Sequence, residues 1–67
     1  MNLNLEIEQE DDGRWIAEIP TLPGVLCYGT SREEVISKTQ ALALRVIAEQ
    51  IEFGEQPLDQ LQITFAA

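Results

Sequence analysis

The run Leu3-Asn4-Leu5-Glu6-Ile7-Glu8-Gln9-Glu10-Asp11-Asp12-Gly13-Arg14-Trp15-Ile16-Ala17-Glu18-Ile19 decides the architecture of this 67-residue chain. Leu3, Leu5 and Ile7 alternate with Asn4, Glu6 and Glu8, the period-two pattern of a strand with one buried face. After Asp11-Asp12-Gly13, a second alternation sets Trp15, Ala17 and Ile19 against Arg14, Ile16 and Glu18. A three-residue loop with glycine in the left-handed region is a common hairpin connection. It predicts Glu10 facing Arg14, Glu8 facing Ile16, Ile7 facing Ala17, Glu6 facing Glu18 and Leu5 facing Ile19. Each apolar residue of the first strand then meets an apolar partner on its own side. A two-residue loop would set Ile7 opposite Glu18 and mix the faces.

Beyond the hairpin, Pro20-Thr21-Leu22-Pro23-Gly24 cannot continue a central ladder and reads as a loop. Val25 to Gly29 is apolar and predicts a third, more buried strand. Ser31 with Glu34 three residues on is a capping box, and Thr30 with Glu33 offers the same device one residue earlier. A helix should run from there to about Phe53, with Gly54 as its left-handed stop and Pro57 beyond it. At 1.5 Å per residue it would be about 35 Å long. Leu61, Ile63 and Phe65 alternate with Gln62 and Thr64 and suggest a fourth, short strand. The expected class is α+β, in the order β-β-β-α-β: a three- to four-stranded, mainly antiparallel sheet with one long helix on one face. Val35, Ile36, Leu42, Ala43, Val46, Ile47 and Phe53 form the helix stripe expected to lie on the sheet, beside Leu5, Ile7, Trp15, Ala17, Ile63 and Phe65.

Composition bounds the function. Twelve acids against four bases leave a formal charge of −8, which argues against direct contact with bare nucleic acid or an anionic membrane. A basic protein partner fits better. The absence of histidine removes Ser/His/Asp and Cys/His nucleophile arrangements and histidine-built zinc sites. One cysteine cannot staple the fold, and Cys27 without a base reads as a small core hydrophobe. No apolar run approaches about 18 residues, and no basic region precedes an apolar one at the start, so a cytoplasmic protein without cofactor is expected. A single domain this small has a marginal core, which favours self-association.

One helix cannot cover both sides of a sheet. The register leaves Glu6, Glu8, Glu10, Arg14, Ile16 and Glu18 on the uncovered side, joined either by Leu26 and Tyr28 or by Val25 and Cys27. An apolar centre rimmed by carboxylates resembles a contact surface, although acids alone also serve to keep a small protein in solution. On the back of the helix Leu44, Ala48 and Ile51, with Ala41, form a second stripe suited to a contact between copies. Glu34–Lys38 and Arg45–Glu49 read as ordinary i,i+4 pairs on a solvated flank. Glu6, Glu8 and Glu18 could in principle hold Mg²⁺ for a nuclease, but such sites need carboxylates converging in a cleft.

The segment Asp12-Gly13-Arg14-Trp15-Ile16-Ala17-Glu18-Ile19-Pro20-Thr21-Leu22-Pro23-Gly24 resembles the HicB-like antitoxin family, in which an acidic-Gly turn leads to an aromatic-x-Ala strand and a Pro-x-Leu-Pro-Gly loop. The likeness continues through Gly29-Thr30-Ser31-Arg32-Glu33-Glu34-Val35 and along the helix to Gly54, about two-thirds of the chain. The resemblance implies a partial ribonuclease-H-like fold without catalytic residues, masking a small basic RNA-cleaving toxin of the HicA type. Many members carry a carboxyl-terminal DNA-binding domain, which these 67 residues do not include, so the likeness is to a short, stand-alone member. The expectation is therefore a small, non-catalytic binding module that forms a homodimer and sequesters a basic partner protein. Glu6, Glu8, Glu10, Asp11, Asp12, Ile16, Glu18 and Tyr28 would face the partner, and Leu44, Ala48 and Ile51 would join copies. An orphan self-associating domain and a metal-dependent nuclease relic are the alternatives.

Overall fold

The computed structural model describes residues 1–54 and 61–67. In chain order its elements are β1 (Asn2–Asn4), β2 (Glu6–Gln9), β3 (Trp15–Glu18), β4 (Leu26–Gly29), α1 (Arg32–Glu52) and β5 (Thr64–Ala66). The described residues form an α+β arrangement of one helix and an antiparallel sheet ordered β2-β3-β4.

The hairpin has the expected register: Glu6 faces Glu18, Ile7 faces Ala17 and Glu8 faces Ile16. Its loop closes through Glu10 N–H donating to Arg14 O at 2.7 Å and Gly13 N–H donating to Glu10 O at 3.0 Å. Gly13 takes φ +93°, the left-handed conformation that a side chain would resist. Asp12 finishes the turn by accepting from Arg14 N–H at 3.0 Å.

The single first strand expected from the alternation is instead two pairing segments. β1 pairs parallel with β5, Leu3 opposite Phe65, while β2 pairs antiparallel with β3. The switch falls at Leu5, whose N–H donates to Ala66 O at 2.7 Å. Successive residues of an extended chain direct their hydrogen-bonding groups to alternate edges, so one segment can hold different neighbours on its two sides. Side chains alternate in step, and Leu3 and Leu5 stay buried on the core side.

α1 begins where Ser31 Oγ accepts from Glu34 N–H at 3.1 Å. The Glu34 carboxylate, which the capping box turns back toward a free amide, instead accepts the Thr30 hydroxyl at 2.7 Å. The helix closes with Phe53 N–H donating to Glu49 O and Gly54 at φ +75°. Pro57, expected just beyond, lies outside the described residues. Twenty-one residues make a rod about 31 Å long, and it packs on β3 and β4.

The core gathers Leu3, Leu5, Ile19, Leu22, Val25, Ala43 and Ile47, with Ile7, Ile36, Leu42, Val46, Ile63 and Phe65 against it. Three expectations need correction. Phe53 is 74% exposed: the helix ends at Glu52, and Phe53 at φ −92°, ψ 10° no longer follows the helical periodicity of the stripe. Thr39 is wholly buried in that stripe; its hydroxyl donates to Val35 O at 2.7 Å, which satisfies the polar atom locally. Leu61 is exposed and β5 starts only at Thr64, so two of the three alternating apolar residues reach the core.

Gly29 fixes how closely α1 approaches β4. A Cβ there would stand 2.9 Å from Val35 N and 3.0 Å from Val35 Cβ, and helix backbone cannot yield as a flexible side chain would. Gly29→Ala should therefore lower stability by about 1–3 kcal/mol, read as a drop in the urea midpoint at unchanged slope.

Candidate protein-binding face

With α1 on one side, the other side of the sheet carries Glu6 and Glu8 from β2, Ile16 and Glu18 from β3, and Leu26 and Tyr28 from β4. The β3–β4 register settles the two options left open by sequence: Ile16 faces Tyr28 and Glu18 faces Leu26. Val25 is 2% exposed on the core side, whereas Leu26 and Tyr28 are each 44% exposed. The third strand, expected to be the more buried one, thus alternates as the others do.

Ile16 is half-buried between carboxylates of β2 and the Tyr28 ring. Glu6, Glu8 and Glu18 are exposed, and Glu10 at the hairpin end is half-buried. Glu6 directly opposite Glu18 places like charges in one cross-strand pair, a cost of about 0.2–1 kcal/mol. Asp11 and Asp12 extend the acidic rim around the turn and are exposed.

Arg14 is the cation of this face. Its Nε donates to Asp12 Oδ2 at 2.8 Å, and its guanidinium carbon stands 5.0 Å from the Tyr28 ring centroid. The backbone N–H of Arg14, and after it the guanidinium, hold the Asp12 carboxyl below its ordinary value of 3.8. Sequence placed Arg14 on this face, but its reach to Tyr28 depends on the β3–β4 register, which no local signal encodes.

On the helix, Leu44, Ala48 and Ile51 are exposed as expected. Lys38 pairs with Glu34 at 3.2 Å and also donates to Tyr28 O at 3.1 Å, tying the helix flank to β4. That second bond went unforeseen, since it joins residues ten apart across the helix–strand junction. Arg45 and Glu49, expected to pair, do not. Cys27 is half-buried on the core side of β4.

Among the described residues no cavity opens and no three acids or thiols gather closely enough to hold a metal ion. What the face offers chemically is an open patch, apolar at Ile16, Leu26 and Tyr28 toward the β4 edge and anionic toward β2 and the hairpin turn. Among the described residues no helix is long and apolar enough to cross a membrane. Comparison with models of known protein families, with curated proteins and with solved structures finds no match.

Two measurements follow from these contacts. Glu18→Lys converts the facing pair with Glu6 to opposite charges and should raise the urea midpoint, by the equivalent of about 0.2–1 kcal/mol. The Thr30 hydroxyl first, and Lys38 second, hold Glu34 below the ordinary glutamate value of 4.5. A carboxyl depressed by folding contributes stability above its unfolded value and loses it as pH falls through the folded value. Carboxyl-carbon NMR of Thr30→Val should show Glu34 titrating closer to 4.5, with its share of acid sensitivity reduced; an unmoved titration would reject the hydroxyl as the cause.

Proposed function

We propose that this chain is a non-catalytic, cytoplasmic binding module of HicB-like, partial ribonuclease-H-like fold that neutralises a small basic RNA-cleaving toxin of the HicA type by masking it. One observation carries the reading. The sheet face left open by α1 has an apolar strip, Ile16, Leu26 and Tyr28, that runs out to the β4 edge and is bordered on its β2 and hairpin side by Glu6, Glu8, Glu18, Asp11 and Asp12. Such an arrangement fits interfaces, where a desolvated centre supplies affinity and the charged rim steers encounter. The facing Glu6 and Glu18 cost stability that an approaching cation would recover. Ile16 and Tyr28 would be the anchors, with Glu10 at the margin. The same net charge of −8 disfavours direct nucleic-acid binding, and no cofactor enters the proposal. Self-association as a homodimer belongs to the reading, because a core this small gains from a second copy.

Co-expression with a HicA-type toxin tests it. The wild-type chain should relieve toxin-induced growth arrest, and the Glu6→Gln/Glu8→Gln/Glu18→Gln variant should associate roughly tenfold more slowly in low salt. The rate for the wild type should fall as salt shortens the Debye length to about 8 Å and below. Arrest that persists beside the wild-type chain removes the antitoxin reading. Association indifferent to both salt and the triple variant removes the acidic rim from it.

A further inference from the structure

The antiparallel sheet ends at β4: among the described residues no strand lies beyond it. Ile19 N–H donates to Val25 O, so in this ladder the odd residues of β4 bond toward β3. Leu26 and Tyr28 therefore direct their N–H and C=O groups away from the sheet. Lys38 reaches the Tyr28 carbonyl, and a carbonyl oxygen accepts two bonds, so one acceptor position there stays open. An edge that presents unpaired backbone groups beside exposed apolar side chains is a template for another strand.

Charge selects the occupant. From Ile19 to Ser31 no residue carries a charge, in a chain of net charge −8. Apposing two open sheet faces would press Glu6, Glu8 and Glu18 against their own copies. The helix-back stripe is flanked by Glu49 and Glu52 with only Arg45 beside them, a net negative flank. β4 is the place where two such acidic chains meet with these acids apart, since β4 of each copy stands between the axis and Glu18 of β3, and β3 and β4 together stand between it and the β2 acids, at about 4.8 Å per strand. A cationic foreign protein has no reason to choose this neutral strand over the acidic face.

We propose that β4 is the self-association edge, two copies pairing antiparallel about a two-fold axis at Cys27. This rests on the self-association in the reading above and supplies its location. The axis sets Leu26 against Tyr28 of the second copy and the reverse, each donating and accepting through its outward backbone groups, with the Tyr28 carbonyl keeping its bond from Lys38. Apolar meets apolar on the open face, so Ile16, Tyr28 and the copy's Leu26 become one strip across both chains. The two Cys27 residues form a non-hydrogen-bonded pair, with Cα atoms about 4.5 Å apart and within disulfide range.

Light scattering should give about twice 7.5 kDa for the wild type. At that concentration the Leu26 and Tyr28 amides should be protected from hydrogen exchange, and on dilution the protection should disappear. Diamide, which accepts the two electrons and two protons released as the disulfide forms, should cross-link the wild type through Cys27 and leave Cys27→Ser uncrossed. Leu26→Pro deletes an N–H that the single chain does not use, so circular dichroism should stay native while the mass halves. A wild type of 7.5 kDa at millimolar concentration overturns self-association itself. A doubled mass whose Leu26 and Tyr28 amides exchange freely, or that is lost only in Leu44→Glu/Ile51→Glu, leaves self-association standing and overturns the edge.

Discussion

The pairing of Ile7 with Ala17 on one side of the hairpin obliges Glu6 and Glu18 to meet on the other. Alternation permits no other outcome: a register that buries apolar side chains toward α1 must gather whatever lies between them on the opposite face. The gain from burial outweighs the like-charge cost, since closing an aliphatic side chain from water contributes about 1.5–3 kcal/mol and the facing glutamates cost at most about 1. The acidic surface is thus a by-product of the core's register as well as a property of composition.

Around that constraint the rest of the chain is arranged by reach. Twenty-one helical residues span more than twice the length of a four-residue strand, and α1 lies over β3 and β4 rather than across the whole sheet. Gly29 lets the helix backbone come close to β4, and Leu22 folds back from the proline loop to close the core beside Val25. The Thr30–Glu34–Lys38–Tyr28 chain of contacts then ties the start of the helix to the strand it covers. These polar contacts sit at the margin, where exposure limits what each contributes.

Two surfaces of different character remain, and the difference matters for function. The open face mixes Ile16, Leu26 and Tyr28 with carboxylates and an Arg14 already drawn over the Tyr28 ring. The residues of β4 itself carry no charge, and at its edge the Lys38 ammonium reaches the Tyr28 carbonyl. An acidic face suits a basic stranger, which would take the side chains of Ile16, Leu26 and Tyr28, and an uncharged strand suits an acidic twin, which would take the backbone groups of Leu26 and Tyr28.

How much of this was legible in the sequence follows from the range of each interaction. The hairpin register, the left-handed Gly13, the Ser31 cap and the Gly54 stop depend on residues within a few positions of one another, and period-two alternation with one glycine loop suffices to place them. The assignment of Glu6, Glu8, Ile16 and Glu18 to one face came from the same local rule. The direction of Leu26 and Tyr28, the bond from Lys38 to Tyr28 O, the burial of Thr39 and the exposure of Phe53 did not. Nor did the division of the first strand at Leu5 between β5 and β3. Each of those is decided by which distant segment arrives alongside, and a strand's own side-chain pattern is the same whichever neighbour takes its edge.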